Sequence, residues 1–152
     1  MEDLDLSVFF KTNVEAIDFR TGLSNISEKI YSTDFDLEKA LIAQFGIEKK
    51  DRFEMLLRNN NILPNSGPAL KDFLGKLQEK ISSLPVISLT LAFEPGERDL
   101  ESIFDWFPLN INKQLLLDIK VDTDIIAGAY INYNGKYSDF SIKPIFDQIC
   151  SE

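Results

Sequence analysis

The sequence predicts an α+β protein: an N-terminal helical bundle followed by a small C-terminal α/β unit with a short mixed sheet. Three observations carry that expectation. Apolar residues recur at steps of three and four as far as Leu84, the spacing that puts them on one face of a helix. At Pro85 the period changes to two, because Ile87, Leu89, Leu91 and Phe93 alternate with Val86, Ser88, Thr90 and Ala92, as on a strand. Asn134-Gly135 then separates two further alternating runs, and a two-residue hairpin turn of that composition supplies the positive φ that both central positions need. The expected domains are therefore a bundle over residues 1–84 and a strand-helix-strand-strand-helix unit over residues 85–152.

Leu6, Phe9, Phe10, Val14 and Ile17 form the stripe of a first helix that Gly22 is expected to end, and Leu23, Ile26 and Ile30 form a second, shorter stripe. Thr33 and Asp36 have the spacing of a capping box, after which Leu37, Leu41 and Phe45 face one way up to Gly46, an expected stop. A fourth helix carries Phe53, Met55, Leu56 and Leu57 and runs out into Asn59-Asn60-Asn61, residues that tolerate left-handed backbone. Pro64 to Pro68 reads as a turn, and Leu70, Phe73, Leu74, Leu77, Ile81 and Leu84 make the cleanest stripe of all.

In the second half, Pro95-Gly96 turns the chain, and Leu100, Ile103, Phe104 and Phe107 predict a helix ending before Pro108. Leu115, Leu117, Ile119 and Val121 alternate again, as do Ala129, Ile131 and Tyr133. Ile142, Ile145, Phe146 and Ile149 predict a closing helix, whose first free N–H groups Asp139 or Ser141 can cap. That helix carries more apolar bulk than one packed face needs. Either all of it lies on the sheet, or Phe146 and Ile149 form a strip that meets a partner helix.

Composition narrows the function classes. The net charge is -9, with 25 carboxylate side chains against 16 Lys and Arg, which disfavours a nucleic-acid partner, since binding needs cations to displace counterions. Histidine is absent and Cys150 is the single cysteine. The commonest general base, the commonest neutral metal ligand and any internal disulfide are thereby removed. Asp122-Thr123-Asp124 offers two carboxylates but no further oxygen ligands nearby, so a loop cap is the simpler role. The glycines form no phosphate-cradling pattern. Neither a cofactor nor a catalytic set is expected. The acidic N-terminus and the lack of a spanning apolar run predict a soluble, cytoplasmic chain with no membrane insertion.

Residues 50–149 resemble the delta subunit of F-type ATP synthases, whose mitochondrial relative is the oligomycin-sensitivity-conferring protein. The family's Glu-Asn-Gly-Arg-Leu turn is matched by Arg58-Asn59-Asn60-Asn61-Ile62-Leu63-Pro64, followed by a long helix from Pro68 to Leu84 and a strand from Val86 to Phe93. Its Val-Asp-Pro-Ser-Leu-Ile-Gly-Gly motif is matched by Val121 to Gly128, with Ala127 in place of the first glycine. Its closing Ile-Asp-Gly-Ser-Val is matched by Ser138-Asp139-Phe140-Ser141-Ile142, with Phe140 in place of glycine. The resemblance implies a non-catalytic stator subunit, peripheral on the cytoplasmic side of the inner membrane. It implies two partners: the alpha subunit's N-terminal helix, at Phe53, Leu56 and Leu57, and the b subunit, at Ile145, Phe146 and Ile149. Asp122, Gly128, Asn134, Gly135, Asp139 and Ser141 are the positions expected to fix the local geometry. A soluble adaptor holding a partner helix in an apolar groove, unrelated to ATP synthase, is the alternative.

Overall fold

In the computed structural model, which describes residues 6–111, 114–125 and 127–140, the helical and the alternating periods fold into separate units. One unit comprises Met1–Phe10 and Val14–Leu84, the other Lys11–Asn13 and Pro85–Glu152. The class is α+β, as the two periods predict.

Among its described residues the first unit holds three helices, α1 (Asn13–Lys29), α2 (Leu37–Asn59) and α3 (Gly67–Ser82). Its core is a continuous apolar set drawn from all three, with Leu23, Leu41, Phe53, Leu57, Leu70, Leu74 and Leu77 fully buried. The stripe of α3 matches its expected spacing, and Pro68 lies in its first turn, where a missing N–H costs nothing.

Four expectations for this half are corrected. Leu6, Phe9 and Phe10 are buried, but from a turn in which Phe9 N donates to Leu6 O at 2.9 Å. The face of α1 that meets the core is Ala16, Phe19, Leu23 and Ile26, whereas Val14 and Ile17 stay exposed. Gly22 ends no helix, because α1 runs through it: a Cβ there would sit 2.4 Å from Phe45 Cε1, so the missing side chain is what admits that ring. The cap of α2 is Asp36 rather than Thr33, its carboxylate accepting from Lys39 N at 3.2 Å. That backbone hydrogen bond also lowers the Asp36 pKa. Gly46 does interrupt α2, at φ 80 and ψ 171, a conformation essentially restricted to glycine.

The second unit is β1 (Val86–Leu91), α4 (Glu97–Ile111), β2 (Leu116–Val121), β3 (Ala129–Tyr133) and β4 (Lys136–Asp139). The sheet order is β2-β1-β3-β4. β1 runs parallel to β2, with Ile87 opposite Leu117, and antiparallel to β3, with Ile87 opposite Tyr133. A parallel pair needs a crossover, and α4 supplies it. α4 continues past Pro108 to Ile111, beyond its expected end. Alternation along β1 buries Ile87, Leu89 and Leu91 on one face, where Ile103, Phe104, Ile119, Ile131 and Tyr133 pack around Ile87 and Leu117.

The outer edge of β2 is met by the unit's own N-terminal piece. Thr12 pairs in parallel with Leu117, and Leu117 N donates to Lys11 O at 3.1 Å. Lys11 Nζ lies 5.2 Å from the centre of the Phe104 ring, a cation–π distance.

The hairpin turn has the backbone its composition demands, with φ 51 at Asn134 and φ 75 at Gly135. Substitution of Asn134 by Val, whose branched Cβ opposes the left-handed region, is expected to cost about 1–2 kcal/mol. The measurement is a urea titration of the full chain. An unchanged midpoint would contradict the strain argument. The expected closing helix, with Ser141, Ile142, Ile145, Phe146 and Ile149, lies outside the described residues.

Candidate functional site

The resemblance draws attention to the turn of α2 from Arg52 to Arg58. Its inward face is occupied by the chain itself. Phe53 is 0% exposed and Leu57 1%, while Leu56 stands at the surface margin at 9%. The rings of Phe9, Phe19 and Phe45 surround Phe53 with centroids 6.3, 6.4 and 6.4 Å away. Arg52 fixes the N-terminal turn to the same helix by donating from Nη1 to Val8 O at 2.8 Å. The outward face carries the exposed Met55. Phe53, Leu56 and Leu57 are thus brought together, but as part of a filled core.

The end of this helix explains its asparagines. Asn60 is the C-cap, Asn61 adopts φ 56, Asn61 N donates to Arg58 O at 3.0 Å, and Ile62 N donates to Leu57 O at 2.9 Å. This pair of bonds is a Schellman closure with asparagine in the position usually held by glycine. It is the physical content of the matched turn motif.

The open surface of the first unit has a different character. A cleft of about 820 Å³ between α1 and α3 is lined by Arg20, Thr21, Ser24, Gly75, Gln78 and Ser82, among others. Its polar groups are engaged across it: Arg20 Nη1 donates to Ser82 Oγ at 2.9 Å, and Gln78 Nε2 to Arg20 O at 3.4 Å. Small, hydrogen-bonded side chains of this kind make a cleft of mixed character.

A charge cluster lies on α2 around Lys50. The side chain of Lys50 is only 14% exposed, and its ammonium lies 3.1 Å from Glu38, 3.2 Å from Asp51 and 3.2 Å from Glu54. Three carboxylates, Glu38 foremost, hold the charged form and push the Lys50 pKa up. The i,i+4 pair with Glu54 was readable from spacing. The contact with Glu38 was not, because it depends on the break at Gly46.

In the second unit, Asp122 caps its own loop: Oδ1 accepts from Asp124 N at 3.0 Å, and its carbonyl accepts from Ile125 N at 3.2 Å. Among the described residues no group of three or more His, Cys, Asp and Glu is placed to hold a metal ion. Gly128 has φ 102 and its carbonyl accepts from Ala92 N at 3.2 Å, just before β3. Asp139 lies at the end of β4 opposite Tyr130. Pairing extends one residue further, with Phe140 N donating to Ala129 O at 2.9 Å. Asp139 is therefore a strand residue, and Ser141 lies outside the described residues. The neighbouring rings of Tyr130 and Tyr137 are 5.3 Å apart. No described helix is long and apolar enough to cross a membrane.

No protein-family model matches this chain, and neither does any curated protein sequence. Among solved structures the chain is similar to one in the cryo-EM structure of the Toxoplasma gondii mitochondrial ATP synthase hexamer. The identity is 13% and the TM-score 0.39, covering 91% of this chain and 83% of that one. This is a likeness too distant to carry an argument.

Proposed function

We propose that this chain is a non-catalytic peripheral-stalk subunit of a rotary F-type ATP synthase, of the delta type, joining the alpha subunit of the catalytic head to the b-subunit stalk. The observation that carries the reading is the backbone at the motif glycines. Gly128, the glycine that this sequence retains, has φ 102, where an L side chain is strained. Ala127 and Phe140 stand where the family has glycine, and Phe140 N continues the strand pairing by donating to Ala129 O at 2.9 Å. The sequence thus keeps the motif glycine at a position whose backbone calls for one.

In this reading the head must be held still against the torque of the rotor, so the subunit supplies interface and stiffness rather than chemistry. The alpha-subunit helix meets the Phe53–Leu57 turn of α2, whose Phe53, Leu56 and Leu57 are buried in the free chain, so this contact requires them to be uncovered. The b subunit meets Ile145, Phe146 and Ile149. The place of work is the cytoplasmic face of the inner membrane, without insertion. The rival adaptor reading calls for an open apolar groove that holds a partner helix.

Affinity purification of the tagged full chain from its native membranes, in mild detergent, tests the proposal. Recovery of alpha and b subunits together is the expected result. Recovery of the chain in quantity with neither subunit would overturn it.

A further inference from the structure

We propose that Gly46 is a hinge in α2 and that Lys50 latches it, so that residues 37–45 form a lid over the aromatic cluster of the first unit. The inference goes beyond the stator reading and does not rest on it.

The hinge is a local fact of the backbone. At φ 80 and ψ 171, Gly46 breaks the helical ladder, and nothing lies within 4 Å of where a Cβ would be. Surrounding packing therefore does not clamp the break. The segment before it, residues 37–45, meets the core through three apolar side chains and one side-chain hydrogen bond. The Phe45 ring stacks on Phe19 at 4.4 Å, over the gap left by Gly22, and lies 6.4 Å from Phe53. Leu37 and Leu41 are buried, and Asn25 Nδ2 donates to Gln44 Oε1 at 3.1 Å.

The ion-pair geometry then singles out one bond. Lys50, Asp51 and Glu54 all follow the hinge, so the pairs of Lys50 with Asp51 and Glu54 do not span it. Glu38 precedes the hinge, and its 3.1 Å contact with Lys50 joins the two halves of α2. Its side chain is 62% exposed, so salt or a competing charge reaches it. Beside the latch lies a cleft of about 550 Å³ lined by Leu37, Glu38, Glu54, Pro64 and Asn65, which leaves room for the lid to move. Opening withdraws Phe45 and bares Phe19 and Phe53, two side chains that the closed form keeps from any partner.

Hydrogen exchange on the free full-length chain at low salt tests this. Glu38→Gln removes the pair across the hinge together with the carboxylate in the first turn of α2, and is expected to speed exchange of the residue 41–45 amides about two- to fivefold, in line with one partly exposed ion pair. Glu54→Gln removes a pair on one side of the hinge and is expected to leave those amides unchanged. High salt should reproduce the Glu38→Gln effect in the unsubstituted chain. Equal effects of the two substitutions, no effect of Glu38→Gln, or an acceleration spread evenly over α3 would each overturn the proposal.

Discussion

Replacing Phe53 by Ala is expected to destabilise the helical unit by about 3–5 kcal/mol, the range for emptying a buried aromatic site. Phe53 is fully buried and has Phe9, Phe19 and Phe45 about it at centroid distances of 6.3 to 6.4 Å. These rings come from a turn, from α1 and from the far half of α2. They cannot all close on the cavity without moving three backbone segments, and close-packed interiors resist that. The measurement is urea unfolding, with hydrogen exchange locating the loss to α1, α2 and α3. Met55→Ala on the opposite face is the control, and at 63% exposure it should stay within about 0.5 kcal/mol of the parent. A Phe53→Ala variant no weaker than Met55→Ala would show that the aromatic cluster is not what holds the bundle.

Ile87→Ala is expected to cost the second unit about 2–5 kcal/mol, a loss close to the whole stability of a small domain. Ile87 is 1% exposed on the central strand, with Leu117 beside it on one neighbour and Tyr133 on the other. Truncation therefore loosens the parallel and the antiparallel pairings together. The measurement is urea unfolding, with hydrogen exchange locating the loss to β1, β2 and β3. Val86→Ala, one residue earlier and 37% exposed, should shift the transition far less. Equal shifts would mean that the two faces of β1 are not distinguished by packing.

Much of the fold was legible because its signals are local. The stripe of α3, the alternation of β1 and the Asn134-Gly135 turn each rest on residues that act within a few positions of one another. The errors share a cause. Leu6, Phe9 and Phe10 have helical spacing but reach the core from a turn, and spacing cannot tell a helix from a turn that buries the same residues. Gly22 was taken for a stop because its partner, Phe45, lies on another helix. The pair of Lys50 with Glu38 has no sequence signal because Glu38 approaches it only through the break at Gly46. For the candidate site, the sequence correctly grouped Phe53, Leu56 and Leu57 on one helix. Their enclosure by Phe9, Phe19 and Phe45 is a tertiary fact that no window of sequence contains.

The pairing of Thr12 with Leu117 makes the second unit discontinuous along the chain. During synthesis from the N-terminus, Lys11–Asn13 emerges before Val14–Leu84 of the first unit, whereas its partner strand emerges only after that segment, β1 and α4. The β3–β4 hairpin forms from neighbours and closes fast, but the β2 edge must await a segment made long before it, a non-local step of the kind that slows folding. A fragment cut at Pro85 to isolate the sheet would lack that segment altogether and would present β2 as a bare edge, open to pairing with another chain.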